Sequence, residues 1–177
     1  MKSRSVVWLG MVAGVLFSGT QATAGPFSEH PIFAKLIGSW SASGELSGAT
    51  SDEKIPITET WKGVIGDDGI LTLSGNRTMN GEDQKFTWTY SYNAASEIFE
   101  CEYTHTGIET PLRFELSIAT PTRTTDMKTP FGDNGTLAVK NVLAKDGDSI
   151  DAEVKILDAQ GQALVSGTVK HTRDAAN

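Results

Sequence analysis

Two residues of opposite charge, Glu59 and Arg77, are the first candidates for chemistry in this 177-residue chain. Glu59 shares a face with Trp61 if the segment is extended, because side chains alternate between the two faces of a strand. Arg77 shares a face with Leu71 and Leu73 in the same way. If these apolar neighbours face an interior, both charges face it too, and a buried charge must be paired or neutralised. One interpretation is a structural salt bridge, or a strand end where Arg77 reaches water. The other is a polar anchor whose guanidinium fork receives the carboxylate of an apolar ligand.

Aromatic residues on the following segments could complete such an anchor. The candidates for ligand binding have the same parity as the apolar residues of their segments, which means that their odd or even position along the strand places them on the same face. They are Trp88, Tyr90, Tyr92, Tyr103 and His105. A filled aromatic core is the alternative, because aromatic residues dominate ordinary cores as well. Tyrosine favours a lined cavity slightly, since each buried hydroxyl needs a partner.

Metal binding and nucleophilic catalysis have weak support. His105 could ligate haem iron, but it has no partner at ligand spacing, so we expect no metal and keep haem through His105 as a minor alternative. His30 and His171, near the two chain ends, are weaker candidates still. Cys101 is expected to act as a small hydrophobic residue, because His105 lies about 13 Å further along an extended strand. No nucleophile elbow, phosphate loop or paired carboxylates stand out, so we assign no catalytic residue.

Alternating apolar and polar residues, separated by turn sequences such as Asn80-Gly81 and Gln160-Gly161, predict an antiparallel meander. We expect strands over Ser39–Ser47, Ile57–Ile65, Ile70–Met79, Gln84–Tyr92, Ile98–Thr106, Leu112–Ala119, Arg123–Lys128, Thr136–Leu143, Ser149–Leu157 and Ala163–Thr172. About ten one-sided strands favour an all-β, antiparallel up-and-down barrel, because closure removes exposed edges. A two-sheet sandwich is the main rival. A short helical segment from Ser28 to Leu36 is expected to plug one end.

The first residues indicate export. Lys2 and Arg4 precede an apolar run, and Ala22-Thr23-Ala24 supplies a small-residue cleavage pattern, so we expect a signal peptide over 1–24 and a single barrel domain over 25–177. The apolar run is shorter than the roughly 20 residues of a membrane span. We therefore expect a periplasmic or secreted protein with no membrane span after signal removal. The lone Cys101 excludes an internal disulfide.

The charge balance argues against nucleic acid and anionic membranes as partners. Signal removal takes away two of the 15 basic residues and none of the 22 acidic ones, which leaves 13 basic against 22 acidic residues and a formal charge near −9. A protein with this excess repels phosphate groups.

The sequence Gly38-x-Trp40, after a helical plug and before a meander, resembles the calycin-type barrels: lipocalins, fatty-acid-binding proteins and the nitrobindin-like group. In those folds a basic residue near the last strand packs over the first-strand tryptophan. The resemblance implies that role for Arg173, with Lys170 as the substitute. The stretch from Leu36 to His105 also resembles an uncharacterised family of secreted bacterial proteins with such a barrel, through the motifs Glu59-Thr60-Trp61, Tyr90-Ser91-Tyr92-Asn93 and Tyr103-Thr104-His105. A second lipocalin motif and a disulfide pair are missing.

Together these features predict an exported binding protein that holds a small apolar or amphipathic ligand inside the barrel. The alternatives are a hydrolase or isomerase that acts on a lipid-like substrate in the same pocket, and a structural or interaction module with a solid core. Of these, a non-enzymatic role is preferred.

Overall fold

Residues 26–50 and 53–175 are described by the computed structural model, so the predicted signal peptide lies outside the described residues. A short helix α1 (Pro26–Glu29) and a 3-10 turn (Phe33–Leu36) come first. Ten strands follow: β1 (Gly38–Gly48), β2 (Lys54–Ile65), β3 (Leu71–Met79), β4 (Glu82–Asn93), β5 (Ile98–His105), β6 (Leu112–Ala119), β7 (Thr124–Phe131), β8 (Gly135–Leu143), β9 (Ser149–Leu157) and β10 (Ala163–Arg173). No helix among the described residues is long and apolar enough to cross a bilayer.

The ten strands form one closed barrel in which every strand pairs antiparallel with its sequence neighbours, and β10 pairs with β1. The predicted up-and-down barrel is therefore confirmed, and the sandwich is excluded. The largest differences lie at β2, which begins three residues before the predicted Ile57, and at β7, which runs three residues beyond the predicted end at Lys128 and includes Pro130. Pro130 sits next to the hairpin turn, where a missing backbone N–H disrupts little of the ladder.

The expected helical plug is split in two around His30 and Pro31. The ring nitrogen Nδ1 of His30 accepts the backbone N–H of Ile32 at 3.2 Å and holds the chain between the two pieces. Phe27 and Phe33 are fully buried and pack edge-to-face, with ring centroids 5.1 Å apart. Both rings also contact Phe99 on β5, so the plug closes the barrel end where β1 begins.

The seam between β1 and β10 is held by Arg173. Its guanidinium carbon lies 4.6 Å from the ring centroid of Trp40, which is fully buried, and a cation over an indole face is stabilised by about 0.5–2 kcal/mol. The same guanidinium donates to the backbone oxygens of Ile37, at 2.6 Å, and Lys35. Gly38 has φ +112°, and a side chain there would meet Arg173. This contact therefore ties the plug to the first and last strands.

The core consists of two separate clusters. The larger one joins the plug to the aromatic residues of β4, β5 and β6. The smaller one lines the opposite wall, where β1, β2, β9 and β10 meet, and contains Ala42, Leu46, Ile57, Ala152 and Val169. Residues of both clusters line a cavity inside the barrel.

Candidate functional site

A cavity of about 280 Å³ occupies the barrel interior. It reaches from Phe33 and Leu36 of the plug segment to Phe131 at the opposite end of the barrel. Phe131 is 41% exposed, so the cavity meets solvent at the end that the plug does not cover. Aliphatic and aromatic side chains form most of the wall. The volume is just below the roughly 300–1,000 Å³ that small-molecule sites occupy.

A buried ion pair projects into this cavity. Glu59 on β2 and Arg77 on β3 are direct cross-strand neighbours, and Arg77 Nε donates to Glu59 Oε1 at 2.5 Å. The guanidinium also donates from Nη1 to the Tyr103 hydroxyl at 2.8 Å and lies 5.1 Å from the ring centroid of Phe86. This geometry matches the salt-bridge interpretation of the two charges, because Arg77 already has a carboxylate partner. Both residues still line the cavity.

His171 on β10 joins this group, although its position near the chain end makes it a weak candidate from the sequence. Trp61 Nε1 donates to His171 Nδ1 at 3.1 Å, and the same nitrogen lies 4.0 Å from Glu59 Oε2. Burial lowers the pKa of His171, Glu59 opposes this shift and Arg77 adds to it. A neutral imidazole whose Nδ1 accepts from an indole carries its proton on Nε2.

The register of three strands explains this contact. Glu59 is paired with Ala42 on β1, and Ala42 is paired with His171 across the seam. The side chains in this row all point inward, and the small methyl group of Ala42 leaves room for its two neighbours to approach. Parity alone marks His171 as inward, like Val169, but only the closure of β1 on β10 brings it to Glu59.

The predicted aromatic residues fall into two groups. Trp88 lines the cavity and packs with its ring centroid 4.4 Å from that of Tyr103. Tyr90 also lines it, but its hydroxyl points to Met127 Sδ at 3.8 Å. Tyr92 lies outside the lining and packs against Phe99, with ring centroids 4.9 Å apart. Tyr92 has inward parity, but its position on β4 is level with the plug, which fills the barrel there.

The two hydroxyls on the wall differ in what they offer. Burial raises the pKa of Tyr103, and the neighbouring Arg77 opposes the shift. The Tyr103 oxygen accepts from Arg77, so its own proton is free to donate into the cavity. Burial and the neighbouring Cys101 thiol raise the pKa of Tyr90 well above its usual value, and its hydroxyl is engaged by that thiol and by the thioether of Met127. Tyr103 is therefore the better polar contact for a ligand.

His105 lines the cavity near the open end, with its ring centroid 5.6 Å from that of Tyr103. Its Nδ1 lies 2.7 Å from the backbone oxygen of Thr106, an arrangement that fixes the proton on Nδ1 and leaves Nε2 as the free nitrogen. Haem ligation by His105 stays a prediction, and Nε2 is the nitrogen it would use. Within the described ranges, no three His, Cys, Asp or Glu side chains are grouped to hold a metal ion.

Cys101 is 2% exposed, and its sulfur lies 3.9 Å from Met127 Sδ. Burial raises the pKa of its thiol to about 12. The thiolate is the nucleophilic form of cysteine, so this side chain packs as a small apolar group at neutral pH.

A second polar group on the cavity wall was not singled out from the sequence. Arg123 precedes β7 directly, and Thr125 and Asn141 are cross-strand partners on β7 and β8; all three line the cavity. Asn141 Nδ2 donates to the Thr125 hydroxyl at 3.2 Å, and Arg123 Nε donates to the backbone oxygen of Leu143 at 3.3 Å. The inward parity that Arg123 and Thr125 share with Met127 was the available signal.

No protein-family model and no curated protein matches this chain. Two solved structures share its fold with a TM-score of 0.57. The S-type phycobiliprotein lyase CPES from Guillardia theta is 12% identical, and the match covers 82% of this chain and 92% of that one. A protein of unknown function from the DUF3598 family of Nostoc punctiforme is 11% identical, and the match covers 80% of this chain and 48% of that one. A third structure, EF1p2_mFAP2b bound to DFHBI, has a TM-score of 0.41 at 10% identity, and the match covers 81% of this chain and 97% of that one. At identities of 12% and 11%, the first two matches show the fold alone, a calycin-like barrel.

Proposed function

We propose that this chain is an exported binding protein that holds a small apolar or amphipathic molecule inside the barrel. The observation that carries the proposal is the cavity of about 280 Å³ that residues of both core clusters line. Protein interiors are close-packed and contain few voids larger than a water molecule, so an interior space of this size needs an occupant.

The composition of the wall favours an apolar occupant. The cavity meets solvent at one end, so water is the alternative occupant, and most of the side chains that it would meet there are aliphatic or aromatic. Water fills apolar cavities poorly, whereas an apolar chain or ring restores contacts with the lining at about 25 cal/mol per Å² of buried surface.

The lining supports an amphipathic molecule in particular. Most of the wall is aliphatic or aromatic, and polar groups are confined to a few positions. The Tyr103 hydroxyl and the outer nitrogens of Arg77 form one such position, which could contact a hydroxyl or carbonyl group of the ligand. A few polar groups on an apolar wall fix the orientation of a ligand, while the wall supplies most of the affinity.

The other functions considered from the sequence have less support. A solid core conflicts with the cavity. A hydrolase or isomerase would need a free general base at the cavity. Glu59 is already paired with Arg77, so that role would fall to His105, whose Nε2 is the free nitrogen on the wall. Export rests on the predicted signal peptide alone, and the fold likeness adds the barrel type and not the ligand.

Uptake of a neutral fluorescent probe, phenylnaphthylamine, tests the proposal with a matched pair of variants on β8. Val139 lines the cavity, whereas its neighbour Lys140 is exposed on the outer face. We expect wild type to take up the probe with micromolar affinity, Val139→Phe to weaken binding about tenfold or more because the ring fills the cavity, and Lys140→Phe to bind like wild type. No uptake by wild type, or equal uptake by both variants, would contradict the proposal.

A further inference from the structure

The two polar groups on the cavity wall differ in net charge. With histidines neutral, the lining side chains that carry a formal charge are Glu59, Arg77 and Arg123. Glu59 and Arg77 neutralise each other at 2.5 Å. Among the described residues, no carboxylate lies within ion-pair distance of Arg123. The cavity wall therefore carries one uncompensated positive charge, at the start of β7.

We propose that Arg123, together with Thr125 and Asn141, forms the anchor for the carboxylate of an amphipathic ligand. The inference rests on the proposed function and names the chemical class of its ligand. It also moves the anchor away from Arg77, the residue expected from the sequence to receive the carboxylate. The guanidinium of Arg77 already forms an ion pair with Glu59, whereas Arg123 forms no ion pair with a carboxylate of the described residues.

The donors at this position suit an anion. The Arg123 side chain donates from Nε to the backbone oxygen of Leu143 at 3.3 Å, so its two Nη groups can form a bidentate pair with a carboxylate. The Thr125 oxygen accepts from Asn141, which leaves the hydroxyl proton free to donate. Thr125 is 6% exposed. A buried hydroxyl and a guanidinium on one wall, about two strand positions apart, are within reach of a single ligand group.

The backbone of Arg123 adds an independent observation. It adopts the left-handed conformation, with φ 51° and ψ 44°, where the chain turns from the 3-10 segment Thr120–Thr122 into β7. Glycine is the residue best suited to this conformation, and other residues held in it cluster at functional sites. Asn80 and Glu97 adopt it in hairpin turns of this chain, and of the three residues Arg123 is the one whose side chain lines the cavity.

Displacement of phenylnaphthylamine by two ligands with the same tail, decanoate and decanol, tests the inference at about pH 8, where the acid is ionised. We expect wild type to bind decanoate about tenfold more tightly than decanol, since a charge-assisted hydrogen bond exceeds a neutral one. Arg123→Gly relieves the backbone conformation, so we expect it to remain folded with an unfolding midpoint no lower than that of wild type. It should bind decanol like wild type and lose the preference for decanoate.

A further variant makes the test specific. Arg113→Gln removes an exposed arginine from the outer face of β6 and should keep the preference for decanoate. Retention of the preference in Arg123→Gly would overturn the inference, and so would equal binding of decanoate and decanol by wild type. In both cases uptake of the neutral probe would leave the proposed binding function standing.

Discussion

Breaking the ion pair between Glu59 and Arg77 from either side should have unequal effects on stability. The side chain of Glu59 is 6% exposed and that of Arg77 is 19% exposed. Arg77→Met leaves a buried carboxylate whose one hydrogen-bond donor has gone. Glu59→Gln leaves a guanidinium that still donates to Tyr103 and lies over the ring of Phe86. The Arg77 variant should therefore be the less stable of the two.

The magnitudes follow from the partners that remain. Leaving one member of a buried pair without its partner costs about 3–5 kcal/mol of stability. We expect Arg77→Met to cost about 3 kcal/mol, because Glu59 lines the cavity and is not enclosed by protein on every side. Glu59→Gln should cost about 1–2 kcal/mol, the loss of one charge-assisted bond. The double variant should cost at least about 1 kcal/mol less than the sum of the two single changes, because the groups are in direct contact.

Urea unfolding followed by tryptophan fluorescence measures these differences. The slope of the free energy of unfolding against urea should stay the same in all four proteins, so that midpoints report stability directly. A cost for Arg77→Met below that of Glu59→Gln, or additive costs in the double variant, would refute the view that the two side chains form a buried pair.

Three further predictions concern other parts of the barrel. Arg173→Ala should lower the free energy of unfolding by about 2 kcal/mol, because it removes the cation over Trp40 and the bonds to the plug, and Arg173→Lys should lie between it and wild type in urea unfolding. Cys101 should stay unreactive toward Ellman's reagent in the folded protein, given its pKa of about 12, and react once urea unfolds the chain; rapid reaction of the native protein would contradict its burial. Burial lowers the pKa values of His171 and His30 below the ordinary 6.5, so the unfolded chain binds protons that the folded one does not. Stability should fall as the pH drops from 6.5 through the folded-state values, and His171→Gln should flatten this dependence in thermal unfolding; an unchanged slope would contradict it.

The fold could be predicted from the sequence because its determinants are local. Strict alternation on β4, β5 and β6 shows which face is buried, and turn sequences between the strands show where the chain reverses. The proximity of Glu59 and Arg77 follows from the same logic, since the two residues lie on consecutive strands with inward parity.

The contacts that were not predicted depend on long-range closure or on one backbone conformation. His171 meets Glu59 only because β10 closes on β1 in a register that places Ala42 between them. Arg123 enters the cavity through a left-handed turn that an arginine does not signal. Tyr92 has the correct parity but lies level with the plug. Parity gives the face of a residue, but not its depth along the barrel axis.

Native mass spectrometry of the protein purified from its own source tests the central claim, that a small molecule occupies the barrel. The account predicts an added mass on wild type that is retained under gentle ionisation and extracted by organic solvent. The Val139→Phe variant, prepared in the same way, should lack that mass. Wild type at the bare mass of its polypeptide, together with a failure to take up phenylnaphthylamine or decanoate, would contradict the account.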